Sequence, residues 1–435
     1  METAVLVIFC GLMLATIVAG LPLLVALVIG LGLFSGYAFY KRYNVKEVLT
    51  MIRDGARNGY TMAVLLILVG SLAASWRASG TIAVIINYAS GLIRPDVFLL
   101  MCFLLNCMIS FLLGTAYGTA ATMGIICMTM SNAMGLSVAL TGGAILSGIY
   151  FGDRISPVSG SAILVSELTK TDIFSNIRLM FKSCAVPFAA ACAAYLGLGF
   201  TQKAEAASMD IGAIFRREFR LHWVAIIPAA IILILALFKV KARTSMLIST
   251  VCAVLIALIL QKQPVIDMLK ILLTGYSAKD PQAAVMLNGG GIFSNARVVC
   301  IVLISSAFSG IFKKTGLLDG VKHFMLRLSE KITRVGAMIV SSLLTVTVSC
   351  NQVMSTILTH QLCEDFEPDR QTEAIDLEDT VIVIAPLLPW CIAGAVPMEM
   401  LGAPKASFAL ACYLWFLPLA RLVTGRKIPP KRSEE

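Results

Sequence analysis

Apolar residues in this chain do not alternate with polar ones. They come in long solid blocks parted by short polar stretches. The blocks occupy 3–19, 21–38, 61–76, 97–114, 120–150, 183–200, 223–238, 244–260, 298–312, 335–349, 380–397 and 405–420. The first two are split only by the turn Gly20-Leu21-Pro22. Several reach the roughly 17–25 residues that cross a bilayer as helix, so the pattern predicts about 10–13 crossing or re-entrant segments. The block at 120–150 reads as two passes or a hairpin. A transmembrane barrel would alternate apolar and polar at period two, which these blocks do not. The expected fold is an all-α polytopic membrane protein, with the lipid bilayer as its first partner.

Composition agrees. Of 435 residues, 58% are apolar and only 14% charged, against about 25% charged in soluble domains. The mean hydropathy is +0.87. The N-terminal block lacks the basic flank of a secretory signal, since Met1-Glu2 is all that precedes it. It runs straight into a second block and is read as the first transmembrane helix.

The net charge of +10 sits in the polar stretches. Lys41, Arg42, Lys46, Arg53 and Arg57 cluster in 41–57, and Arg421, Arg426, Lys427, Lys431 and Arg432 near the C-terminus. By the positive-inside tendency both regions, and so both termini, are expected in the cytoplasm of a cell whose inner membrane holds the chain. The segment 361–376 is acidic, with Glu364, Asp365, Glu367, Asp369, Glu373 and Asp376 against Arg370, and is expected on the outer side. The basic excess therefore describes topology, and no nucleic-acid partner is expected. Twelve scattered cysteines with no Cys-x-x-Cys pair, and three histidines (His222, His323, His360) without ligand spacing, predict no disulfide framework, no resident metal and no cofactor.

The polar stretch 201–221 divides the chain into halves at 1–200 and 222–435. The halves carry similar features in the same order. LVGSLAASWRASG at 68–80 stands against ISSAFSGIFKKTG at 304–316. An acidic residue followed by proline in an apolar run appears as Gly152-Asp153…Ser156-Pro157 and as Glu378-Asp379…Ala385-Pro386. Internal similarity of this kind marks repeat-built transporters.

Polar groups inside apolar blocks are where function is expected, because a charge or a broken helix in hydrocarbon is expensive. Four clusters qualify. The first, 114–124, holds Gly114, Thr115, Gly118 and Thr119. Its glycines permit unwinding and its threonines offer hard oxygens, while close helix packing through small residues is the competing reading. The second, 151–161, holds Asp153, Ser156, Pro157, Ser159 and Ser161. Pro157 prevents a continuous helix; a surface turn with Asp153 paired to Arg154 is the alternative. The third, 349–356, holds Asn351 and Gln352, which either bind a ligand or bond between helices. The fourth, 377–394, holds Glu378, Asp379, Pro386, Pro389 and Trp390; its carboxylates either face the break or sit in water. Arg77, after Trp76, either snorkels to the interface or meets a substrate carboxylate.

Neither a Walker loop nor a Gly-x-Ser-x-Gly elbow occurs, so ATP-driven pumping and hydrolase chemistry are not expected, and the chain does not read as an enzyme. No repeated filter loop suggests a channel. The expected class is an ion-coupled secondary transporter.

At these clusters the sequence resembles the NhaC family of sodium/proton antiporters. The resemblance rests on Gly114-Thr115…Gly118-Thr119, Phe151-Gly152-Asp153-Arg154…Ser156-Pro157…Ser159, Thr171-Asp172, Asn351-Gln352 and Leu377-Glu378-Asp379…Pro386-Leu387…Pro389-Trp390. It implies two inverted repeats, re-entrant hairpins and broken helices meeting at a midplane site. It also implies sodium and protons as coupling ions, and a homodimer. Two positions depart from the family pattern. After Ser159 the family commonly has Asp then Thr-Thr, and here stand Gly160, Ser161 and Ala162. After Trp76 an apolar residue is usual, and here stands Arg77. Both departures fit a carboxylate-bearing solute, such as an amino acid, moved with or against a cation.

Overall fold

The computed structural model describes residues 2–19, 21–89, 94–202, 211–238, 240, 242–317, 333–363 and 369–424. Glu364, Asp365, Glu367, His323, Gly20 and the basic tail beyond 424 lie outside them. Among the described residues every regular element is helical, and one isolated antiparallel bridge joins Tyr276 and Gly289.

The first half contains α1 (Glu2–Val18), α2 (Leu23–Tyr40), α3 (Val45–Ala78), α4 (Thr81–Ala89) and α5 (Pro95–Leu113). It continues with α6 (Ala116–Thr119), which runs through a π-helical turn at Ala120–Gly124 into α7 (Ile125–Ala133). Then come α8 (Val138–Ile155), α9 (Gly160–Thr169) and α10 (Ile173–Phe200). The second half holds α11 (Ile211–Glu218), α12 (Ile227–Leu237), α13 (Ala242–Ile259), α14 (Val265–Thr274), α15 (Pro281–Leu287) and α16 (Ala296–Thr315). It ends with α17 (Arg334–Ser349), α18 (Gln352–Cys363), α19 (Arg370–Asp379), α20 (Val381–Ile384), α21 (Ile392–Leu401), α22 (Ala406–Ala409) and α23 (Cys412–Thr424).

The polar stretches between apolar blocks supply the caps. Asn44 and Glu47 form a reciprocal capping box at the start of α3 (2.9 and 2.8 Å). Asp172 accepts from the Ser175 N–H at the start of α10 (2.8 Å), and Thr333 from the Gly336 N–H at the start of α17 (3.1 Å). The 120–150 block turns at Gly135, in a left-handed conformation, between α7 and α8.

Four single helices are long and apolar enough to cross a membrane: Pro95–Leu113, Ile173–Phe200, Phe293–Thr315 and Ala406–Thr424. Two bent pairs do so together, Ala63–Ala78 with Thr81–Tyr88 (64°) and Arg370–Leu387 with Ile392–Leu401 (49°). Their outward faces carry large apolar side chains. Val186 on α10 is 75% exposed and Val423 on α23 85%, a surface suited to lipid.

Helices meet through small residues. A Cβ on Gly310 of α16 would stand 2.0 Å from the Met51 carbonyl oxygen of α3, and one on Gly152 of α8 would stand 2.4 Å from the Phe111 backbone nitrogen of α5. With lipid as apolar as leucine, such close approach is what binds one membrane helix to another. A separate aromatic cluster joins α1 and α2 to α16, with Phe34 4.8 Å from Phe9, 5.0 Å from Phe308 and 4.8 Å from Phe312.

The segment expected as a central loop is partly helical. Glu218, at the end of α11, accepts from the Tyr276 hydroxyl (3.0 Å) and the Lys279 N–H (2.9 Å), so 211–218 is docked against the turn that follows α14.

Candidate functional site

Four helix interruptions position the candidate residues. At the first, Gly114 takes a left-handed conformation (φ 62°) and Thr115 an extended one before α6 begins. At the second, α8 ends at Ile155 and Ser156–Ser159 turn the chain into α9, with Pro157 unable to continue the hydrogen-bond ladder. At the third, Cys350 is left-handed (φ 53°) and Asn351 leads into α18. At the fourth, Leu388–Cys391 separate the short 3-10 turn at Ala385–Leu387 from α21. Pro386 lies inside that turn, one step ahead of the break.

The interruptions dock in pairs. A Cβ on Gly114 would lie 2.5 Å from Val158 Cγ2, so the first break rests on the second. The Ile392 N–H donates to the Cys350 carbonyl (3.0 Å), and Gln352 Nε2 to the Ile382 carbonyl (2.8 Å), so the third rests on the fourth. The two pairs meet where the Tyr150 hydroxyl donates to the Ala393 carbonyl (2.6 Å) and where α9 packs on α19.

Asp153 is the hub of the first pair. Its Oδ1 accepts from the Ala116 N–H (3.3 Å) and the Ser159 hydroxyl (3.1 Å), and its Oδ2 from the Ser161 hydroxyl (3.0 Å). Ala116 and Ser159 stand at the starts of the helices that follow each break. Unsatisfied N–H groups and the positive end of a helix favour an anion there. Thr119 sends its hydroxyl hydrogen to the Thr115 carbonyl (2.9 Å), and Gly118 sits against the Thr115 side chain. The π-helical turn that follows is the kind of local unwinding often found at functional sites.

In the second pair, Asn351 accepts from Ser355 through its carbonyl (2.7 Å) and from the Met354 N–H through its side chain (3.3 Å). Trp390 Nε1 is buried without a partner.

The adjacent carboxylates Glu378 and Asp379 diverge. Both are buried, and Glu378 has neither oxygen hydrogen-bonded. Asp379 is held by Arg154, whose Nη2 donates to it and to Ser183 (3.0 Å). Arg154 also reaches the Tyr413 hydroxyl through Nη1 (3.2 Å) and the Glu378 carbonyl through Nε (3.2 Å). The structure thus pairs Arg154 with Asp379 across the halves, and leaves Asp153 to hydroxyl and N–H donors.

In the described part of the acidic segment Glu373 and Asp376 are fully buried on α19, while Asp369 at its N-cap is exposed. Asp376 binds Arg421 (2.6 Å) and Arg334 (2.7 Å), and Glu373 binds His360 (2.7 Å) and Arg370 (3.0 Å). The Asp376–Arg421 contact brings the end of the acidic segment against the first residue of the basic C-terminal cluster. Loop charges report sidedness only while they stay in water, and these are neutralised inside the protein. Ser183, Arg334, Tyr413 and the pairing role of Arg421 were not visible in the sequence, and Arg154 was read there as a partner of Asp153, whereas it binds Asp379. An arginine directly after Asp153 in an apolar block was the available signal.

Broken apolar helices with a buried carboxylate bound at one break are the construction in which secondary transporters hold their ions. The comparisons are specific. The chain matches the model of the Na+/H+ antiporter family over residues 1–164 and 148–424, and it belongs to that family. Both matched stretches include Asp153, Ser156, Pro157, Ser159 and Ser161. It is similar to the malate-2H(+)/Na(+)-lactate antiporter of Bacillus subtilis, 26% identical over 95% of this chain and 91% of that one. It is similar to the Na(+)/H(+) antiporter NhaC of Alkalihalophilus pseudofirmus, 24% identical over 95% and 93%. It is also similar to the arginine/ornithine antiporter ArcD of Halobacterium salinarum, 26% identical over 88% and 83%.

Proposed function

We propose that this antiporter exchanges sodium for protons across a bacterial cytoplasmic membrane, with the ion held between Asp153 and Glu378. The observation that carries this reading is Glu378, a carboxylate sealed from water with no donor on either oxygen. The charges acting on it are Arg154 first, then Asp379 and Asp153. Buried carboxylates that feel one another repel unless something positive neutralises them. A sodium ion does so, and so does a proton. Competition for one pair of carboxylates makes occupancy exclusive, which exchange requires. The hydroxyls of Thr119, Ser159 and Ser161 retain lone pairs and complete a hard oxygen shell.

The local geometry supports two inverted repeats, 1–200 and 222–435. Each half has a long helix followed by a left-handed glycine, Gly80 (φ 77°) and Gly316 (φ 63°). Each then has a left-handed break, Gly114 and Cys350, and later a proline-bearing one. In this register Ser156-Pro157-Val158-Ser159 matches Leu388-Pro389-Trp390-Cys391, so Pro157 answers to Pro389 and not to Pro386. Asp153 then falls opposite Ala385. The two carboxylates come from different repeat positions, and the proposed site is asymmetric. A homodimer with one half moving against the other completes this reading.

Proton movement in proteoliposomes under an imposed sodium gradient tests it. Glu378→Gln and Asp153→Asn are each expected to reduce the flux to that of empty vesicles. Full flux in either variant removes that carboxylate from the site.

A further inference from the structure

The carboxylate pair leaves a second polar cavity unassigned. It measures about 270 Å³ and is walled by α3, α7, α21 and the glycine loop at 288–290. At roughly 30 Å³ per water, that is room for about nine heavy atoms. Arg77 enters it from α3. Its Nη1 turns back to the Ala73 carbonyl one turn earlier (3.1 Å), and its Nε is buried without a partner. The side chain therefore folds back along its own helix. A guanidinium with an idle buried donor is costly in a membrane protein, and its planar fork fits a carboxylate in two-point contact.

Glu399 stands on another wall of the same cavity. Its side chain is 44% exposed and only loosely engaged, 3.7 Å from Arg297. Thr129, Asn132, Asn288 and Asn295 supply neutral polar groups between the two charges. A cavity with a cation on one wall and an anion on another has the charge pattern of a zwitterion. Its position also matters. α7 and α21 are the continuations of the helices that start at the first and fourth breaks, so a solute here touches the same elements that carry the proposed ion site.

We propose that this cavity binds a small zwitterionic amino acid, with its carboxylate on Arg77 and its ammonium group toward Glu399. The inference rests on the reading of the chain as an ion-coupled transporter and supplies its organic substrate class. Purified full-length protein in lipid nanodiscs is titrated with tritiated alanine, serine, arginine, lactate and malate, without any ion gradient. An amino acid is expected to saturate. Arg77→Gln is expected to weaken it by about tenfold or more, the size of a lost charge-assisted two-point contact, with Arg77→Lys intermediate. Glu399→Gln, at a half-exposed position, is expected to weaken the amino acid while leaving its binding of lactate, which has no ammonium group, unchanged. The proposal is overturned if no amino acid binds, if lactate or malate binds more tightly than every amino acid, or if both charge variants bind as the wild type does. Because no gradient is used, the cation site can fail in the flux assay while this cavity still binds, and the reverse.

Discussion

Glu378 and Asp379 are neighbours on one helix, equally buried, and they have opposite surroundings. Asp379 sits under Arg154, with Arg421 3.7 Å away. Glu378 has nothing on its oxygens. The same contrast extends outward. Asp376 and Glu373 share the neutralised, arginine-rich region with Asp379, whereas Asp153, beside the second break, is held only by hydroxyls and one N–H. A carboxylate under a fixed cation is spent on architecture. One held by neutral groups, or by none, keeps its charge available for a mobile cation. The two regions are therefore expected to respond to different insults, one by unfolding and the other by losing transport.

The sharpest way to break this contrast is to remove the cation from the architectural region. Arg154→Met leaves buried Asp379 with only the Ser183 hydroxyl and the more distant Arg421, 3.7 Å away, and breaking a buried pair in this way costs up to about 3–5 kcal/mol. Detergent-solubilised protein is expected to lose most of its thermal stability, and Arg154→Met with Asp379→Asn is expected to recover part of it. No loss of stability in the single variant would show that the pair is not structural. Next in size are Asp153→Asn and Glu378→Gln, which are expected to abolish flux while melting near the wild-type temperature. Melting as severe as that of Arg154→Met would place them in the architectural region.

The helical blocks and the places where they break could be read from sequence because they depend on runs of apolar residues and on where proline and glycine interrupt them. The partition of the carboxylates could not. Asp376 and Asp379 are neutralised by Arg154, Arg334 and Arg421, which lie far along the chain in other helices. Charge counted along the sequence assigned Asp376 and Arg421 to opposite sides of the membrane, and they touch. Pro386 was a reasonable breaker by the loss of its N–H, but a 3-10 turn absorbs it and the chain opens at Leu388–Cys391 instead. Gly160, where the family commonly places an aspartate, faces open space: a Cβ there would meet nothing within 4 Å.

Two substitutions sharpen the transport side with smaller effects. Gly114→Ala forces a left-handed residue to carry a Cβ, costing about 1–2 kcal/mol, and pushes it against Val158. Lower thermal stability with a weakened sodium response is expected; unchanged flux would show that the docking of the first two breaks does not hold the site. Gly160→Asp meets no steric obstacle and adds a carboxylate to the turn that carries Ser159 and Ser161. The half-saturating sodium concentration is expected to fall severalfold, as about 1 kcal/mol gives at an exposed position. No change would mean that the turn presents its side chain away from the ion.

The smallest effect is expected at Asp369, an exposed acid at the mouth of the architectural region. It caps α19, accepting from the Gln371 and Thr372 N–H groups (3.3 and 3.2 Å). The Thr372 hydroxyl holds its carboxyl below the usual carboxylate range against the opposing effect of burial, and those N–H groups help. A folded-state value below the unfolded one adds stability above the ordinary carboxylate pKa of about 3.9, and that stability is lost as pH falls through the lowered value. Unlike the buried acids behind it, Asp369 is screened by water, so its loss should fray one helical turn and leave the fold intact. Asp369→Ala is expected to cost about 1 kcal/mol locally, seen as roughly fivefold faster amide exchange at Gln371 and Thr372 near neutral pH. The difference from wild type should shrink below the lowered pKa, where the wild-type cap is protonated as well. If Asp369→Ala instead lowered the global melting temperature as Arg154→Met does, the architectural region would have to extend to the helix end, and burial would no longer separate the acids that hold this fold from those at its edge.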